Sequence, residues 1–128
     1  MVGLDVTEQT LMSDEYLVSL KNSGSATAAF IYKIGRYYRN FHYKYFNLAG
    51  MYTHDPAAIA YAIDPTLFTV VRGPLRVSTE GIASGQTILD RRPHRHRPGP
   101  WSNQPLTNVC LEVDSERLLE LYKEKITA

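Results

Sequence analysis

Residues 53–65 read THDPAAIAYAIDP, in which Asp-Pro occurs twice, at Asp55-Pro56 and Asp64-Pro65, with a histidine before only the first. Both pairs carry a helix-start signal. An aspartate at the N-cap accepts a backbone N–H of the first turn, and a proline at the first helical position has no N–H to leave unsatisfied. The residue before a proline is also pushed out of the α region, as an N-cap must be. Asp64 needs no further explanation. His54 makes the first pair different, because an imidazole beside a carboxylate puts a proton donor and a hard oxygen ligand into one turn. Taken alone, these residues still read more simply as a helix opened by Asp55. A calcium ion takes about six to eight oxygens, and the sequence has no aspartate-rich loop of the EF-hand kind.

Upstream, Ser25 is placed to cap a long helix running down to Gly50, with Phe30, Ile34, Tyr38, Phe41 and Tyr45 recurring at three- and four-residue intervals. Its other face carries Lys33, Arg36, Arg39 and Lys44. Such an aromatic stripe is either a core face or a stacking surface for bases. The core reading is the simpler, since binders of single strands also need a groove of positive potential. His42 has no second ligand one turn on and reads as a surface or packing residue. Before this helix, Ser13 with Asp14 and Glu15 opens a shorter one that Ser23-Gly24 stops. Met1-Val2 reads as the end of a strand.

Downstream the period changes from helical to two. FTVVR from Phe68, LRVST from Leu75, GQTILD from Gly85 and NVCLEV from Asn108 are strand-like, with Gly73-Pro74 and EGIASG as turns. DSERLLELYKEK closes the chain as a helix capped by Asp114, with Leu118, Leu121 and Tyr122 on one face. Residues 91–107 form a proline-rich loop. Its Arg91, Arg92, Arg95 and Arg97 with His94 and His96 suit phosphate or RNA, or the two histidines suit a metal. Two histidines without cysteine or carboxylate partners are a weak metal signal, however, and long loops of this kind are often simply mobile.

The order of helices, then strands, then a helix gives an α/β class. A length of 128 residues with 44% hydrophobic and 21% charged residues predicts one globular unit over 1–128. Fourteen basic against thirteen acidic residues leave a formal charge of +1, so no global field points to nucleic acid or to an anionic membrane. Cys110 stands alone, which rules out an internal disulfide and makes a reducing, cytoplasmic setting the expectation. No apolar run approaches the roughly 20 residues that cross a bilayer.

HDPAAIAYAIDPTLFTVV, then GQTILDRR, then NVCLEVDSERLLELYKEKI, together with GLDVTEQTLMSDEYLVSLKNSG upstream, resemble the carboxy-terminal part of the inosine-uridine preferring nucleoside hydrolases. The resemblance runs from Gly3 to Ile126 and fits poorly only at the arginine-histidine-proline loop. It implies the C-terminal portion of that fold and an enzyme that cleaves the N-glycosidic bond of ribonucleosides. It also implies a calcium ion that grips the ribose hydroxyls and the attacking water. On this resemblance Asp55 matches a calcium ligand and His54 the acid that protonates the departing base. Tyr43, Tyr45 and Tyr52 are candidates to touch the nucleobase. Purine-specific relatives tend to carry tryptophan where His54 stands, which leans toward the inosine-uridine or pyrimidine type.

The family's amino-terminal Asp-x-Asp-x-x-x-Asp-Asp motif and its middle region have no counterpart here. The expectation is therefore a chain that does not hydrolyse nucleosides or hold calcium alone, and that self-associates or is completed by an amino-terminal chain. The alternative is a non-catalytic relative acting as an interaction or nucleotide- and anion-binding module through Arg91 to Arg97.

Overall fold

The computed structural model describes residues 1–92 and 99–128. His94, Arg95, His96 and Arg97 lie outside the described residues. The element order is α1 (Leu4–Thr7), β1 (Leu11–Ser13), α2 (Asp14–Lys21), α3 (Ala26–Ile34), α4 (Arg36–Phe46), β2 (Gly50–Tyr52), α5 (His54–Ile63), β3 (Phe68–Val77), β4 (Thr87–Leu89), β5 (Leu106–Val113) and α6 (Ser115–Thr127). Short 3-10 turns at Pro65–Leu67 and Gly81–Ala83 join α5 to β3 and β3 to β4. This is the α/β arrangement that the change of period implied.

The caps explain where several helices begin. The hydroxyl of Ser13 accepts from Tyr16 N–H at 3.2 Å, that of Ser25 from Ala28 N–H at 3.3 Å, and the Asp114 carboxylate from Arg117 N–H at 3.1 Å. The single long helix expected from Ser25 to Gly50 is instead two, broken at Gly35. A side chain at Gly35 would press on Ile31 O at 3.1 Å and Met51 Sδ at 3.2 Å, so β2 passes close against the break.

The aromatic stripe is also corrected. Phe30, Ile34, Phe41 and Tyr45 are 60%, 58%, 40% and 62% exposed, and only Tyr38 of the five is half-buried. What α3 and α4 turn inward is Ala28, Gly35 and His42, small or polar residues that let the backbone approach β2 and α2. Arg39 then ties α4 to α2 through Asp14 at 2.9 Å.

Two small sheets carry the rest. β1 pairs antiparallel with β2, Met12 opposite Met51. The sheet β4-β3-β5 is antiparallel throughout. FTVVR and LRVST, expected as two strands separated by a Gly73-Pro74 turn, are one strand, β3. Phe68 to Pro74 pair with β5 and Leu75 to Val77 with β4, so the strand changes partner where the turn was expected. Gly73 is required there because the Asp90 carbonyl would lie 2.8 Å from any Cβ, and Pro74, which has no N–H, sits where the β5 ladder ends. β5 starts at Leu106, two residues earlier than NVCLEV. Residues 1–3 form no strand, yet the Met1 amine donates to Asn108 O at 2.6 Å and Met1 O accepts from Cys110 N–H at 2.9 Å, the bonds of a parallel bridge beside β5.

The core lies under α5. Val6, Ala57, Ala60, Leu67, Phe68, Cys110 and Leu118 form one buried cluster, and Met12, Leu17, Leu20 and Ala28 form a second. Alanines at 57 and 60, one turn apart, let α5 lie close to Leu118 of α6. That packing fixes the direction in which the first turn of α5 points. Among the described residues no helix is long and apolar enough to cross a membrane.

Candidate active site

The N-cap of α5 is Thr53, not Asp55. Thr53 does not cap with its side chain; its hydroxyl and its amide both donate to Thr10 O, each at 3.3 Å. His54, Asp55 and Pro56 then occupy the first three helical positions. Ala57 N–H is the first to bond back, to Thr53 O at 3.1 Å, so the missing N–H of Pro56 falls among donors that have no partner within the helix anyway. The second Asp-Pro pair behaves as expected. Asp64 caps the Pro65–Leu67 turn, accepting from Thr66 N–H at 2.9 Å and Thr66 Oγ1 at 2.6 Å, with Arg117 at 3.1 Å. The Thr66 hydroxyl, then its amide, and finally the Arg117 charge hold the Asp64 carboxyl below the ordinary value. The two pairs that look alike in sequence therefore differ. Asp64 is spent on its own backbone, whereas the Asp55 carboxylate is exposed and makes no hydrogen bond or ion pair among the described residues.

His54 is held from the other side. Its Nδ1 lies 2.7 Å from Oγ1 of Thr7, the last residue of α1, which is 4% exposed. Its ring sits 5.8 Å from that of Tyr52 and 6.4 Å from that of Tyr38. Behind these, His42 is 3% exposed, bonded through Nδ1 to Tyr38 O at 2.9 Å and set edge-on to the Tyr38 ring at 4.2 Å. His42 is thus the packing residue its isolation suggested. Burial, followed by the negative charges of Asp55 and Glu8, pushes the Tyr38 phenol above its ordinary value, so it keeps its proton and remains a donor.

His54 and Asp55 form the wall between two cavities. One, of about 830 Å³, is bounded by Leu4, Asp5, Thr7, Gln86 and Arg91 among others. The other, of about 330 Å³, is bounded by Tyr38, Met51, Tyr52 and Tyr122. Both volumes fall in the range of about 300–1,000 Å³ usual for small-molecule sites. Tyr52 therefore stands with His54, while Tyr45 and Tyr43 are exposed on α4 and border neither cavity, with Tyr45 against the Phe41 ring and the Lys44 amine. Thr7 and Tyr38 are the members that sequence reasoning missed. Tyr38 was seen only as part of a stripe, and no local signal links Thr7 to a residue 47 positions away.

The described residues do not fit a complete calcium site. Among them no group of three or more His, Cys, Asp and Glu side chains converges, and Asp5 is the only other carboxylate on the cavities that Asp55 faces. Arg91 borders the larger cavity, and Arg92 is engaged with Asp90 at 2.8 and 3.0 Å.

Sequence and fold together place this α/β frame in a known family. The family model described as inosine-uridine preferring nucleoside hydrolase matches residues 1–120, and the chain belongs to that family. Uridine nucleosidase 1 of Arabidopsis thaliana is 34% identical over 98% of this chain and 38% of its own length. The inosine-uridine preferring nucleoside hydrolase of Leishmania major is 37% identical over 89% of this chain and 35% of its own. Among solved structures, a plant nucleoside hydrolase superposes with a TM-score of 0.91 at 32% identity, covering 98% of this chain and 40% of that one. A purine-preferring ribonucleoside hydrolase from Gardnerella vaginalis superposes with a TM-score of 0.79 at 30% identity. The chain spans about two fifths of the length of the relatives it matches.

Proposed function

We propose that this chain carries the leaving-base side of a ribonucleoside hydrolase site, with His54 as the acid and Asp55 as one oxygen ligand of a calcium ion completed elsewhere. The observation that supports this most is the Asp55 carboxylate beside His54 in the first turn of α5, which has no hydrogen bond or ion pair among the described residues. A cap would have consumed that carboxylate, as it does at Asp64. Cleaving an N-glycosidic bond breaks C–N with the electron pair going to the base, so a proton delivered to the departing base lowers the barrier. His54 supplies that proton, and the rings of Tyr52 and Tyr38 flank it as walls for a planar base. The preference is for inosine, uridine or pyrimidine nucleosides.

The remaining ligands and the base that activates water come from the rest of the site, supplied by an amino-terminal segment or a second chain. The isolated 128-residue chain is accordingly inactive. Its exposed α3–α4 stripe favours association, either with itself or with that completing segment. The setting is the cytoplasm, where Cys110, buried and with its thiol pushed up by that burial, stays reduced.

Calcium titration by calorimetry tests the assignment. Tight binding is expected only when an amino-terminal nucleoside hydrolase segment is added, and is weakened by Asp55→Asn. Tight binding by the chain alone, indifferent to Asp55→Asn, would refute it.

A further inference from the structure

We propose that Thr7 is a positioning residue that fixes the tautomer of His54, holding the ring proton on Nδ1 and leaving Nε2 as the nitrogen that exchanges a proton with the base. The inference rests on the proposed role of His54 as the acid.

The geometry carries it. Among the described residues Thr7 Oγ1 has two hydrogen-bonding neighbours, His54 Nδ1 at 2.7 Å and Leu4 O at 3.3 Å. A hydroxyl has one proton to donate and lone pairs to accept with. The Leu4 carbonyl can only accept. Both contacts are hydrogen bonds at once in one arrangement only, in which Thr7 donates to Leu4 O and His54 Nδ1–H donates to Thr7 Oγ1. A threonine in a helix bonding back three residues is a common geometry, so the hydroxyl is already directed before the imidazole arrives. His54 Nε2 makes no hydrogen bond among the described residues, and the ring borders both cavities.

The two segments are also fastened to each other independently of this contact. Thr53 donates twice to Thr10 O, and Thr10 Oγ1 donates to Ser115 Oγ at 3.0 Å, which in turn donates to Gln9 O at 2.7 Å. Thr10 and Thr53 are wholly buried. The end of α1 and the start of α5 are thus one unit, and removing the Thr7 hydroxyl changes the ring's partner without releasing the helix.

The test is the ring nitrogen spectrum of the full chain, recorded by two-bond proton–nitrogen correlation NMR at a pH where the ring is neutral. The His54 signals are assigned by their loss in His54→Gln. The wild type and Thr7→Ser should show the proton mainly on Nδ1. Thr7→Val, which keeps the shape and removes the hydroxyl, should move the tautomer ratio toward Nε2–H by about fivefold, the factor one neutral hydrogen bond is worth. A wild-type ring protonated mainly on Nε2, or a ratio unchanged in Thr7→Val, would overturn the proposal. Should Thr7→Val unfold, the wild-type and Thr7→Ser spectra still decide. No substrate is needed, so failure here is separate from failure of His54 as the acid, which base release reports.

Discussion

Thr53 holds the N-cap position two residues before Asp55, and turns its hydroxyl onto Thr10 of the preceding segment instead of onto its own helix. Asp55 is left in the first turn with a carboxylate unengaged among the described residues, near the positive end of α5 but not needed to close it. Nine residues later Asp64 does the work of a cap.

Asp64→Ala should lower the melting temperature at about pH 7, while Asp55→Ala should leave it nearly unchanged. The pH dependence has a definite sign. Thr66 and Arg117 hold the Asp64 carboxyl below the ordinary value, so its contribution is complete above the unfolded carboxylate value of about 3.9 and is lost as pH falls through the lower folded value. The gap in melting temperature between wild type and Asp64→Ala should therefore narrow as pH falls below the ordinary carboxylate range. Equal destabilisation by both substitutions would return Asp55 to the role of a cap.

Leu118 is 0% exposed and packs in the cluster of Ala57, Ala60 and Leu67 that supports α5. Leu118→Ala should cost about 2–5 kcal/mol, read as a lower urea midpoint with an unchanged slope. A loss below about 0.5 kcal/mol, the scale of a surface substitution, would mean that α6 does not brace the site helix.

Gly50 has φ +147°, and a Cβ there would collide with the carbonyl oxygen of Met12 across the β1–β2 pair. Gly50→Ala should destabilise by more than the roughly 1 kcal/mol a glycine-to-alanine change ordinarily moves. Amide exchange at Met12 and Met51 should accelerate with it. Unchanged protection at these amides would show that the pair does not need the close approach.

The exposed rings of α3 and α4 form the largest departure from what the pattern implied. If this face associates, sedimentation of the wild-type chain should show concentration-dependent assembly, and Ile34→Lys with Phe41→Lys should shift it to the monomer. A wild-type monomer at high concentration would contradict self-association through the stripe.

What was legible in the residues was local. Ser13, Ser25, Asp64 and Asp114 announced their caps because a cap is decided within four residues, and β5 and α6 were visible in NVCLEV and DSERLLELYKEK. What was missed depends on partners far along the chain. Gly35 looks tolerable inside a helix until Met51 is seen against it, and Gly73-Pro74 looks like a turn until Asp90 and the end of the β5 ladder are in place. β1 and β2 are three residues each and exist only because they pair across the intervening helices. At the site, His54 and Asp55 stood out by resemblance, whereas Thr7 and Tyr38 became visible only when folding brought them to the same ring.

The most direct measurement is release of free base from inosine and uridine in the presence of calcium, by the chain alone and with an amino-terminal nucleoside hydrolase segment added. No release is expected from the chain alone, and release is expected from the completed site. His54→Ala should lower that release by about 10²–10⁴-fold, the usual contribution of a general acid. Release by the chain alone, or release by the completed site that is indifferent to His54→Ala, would contradict it.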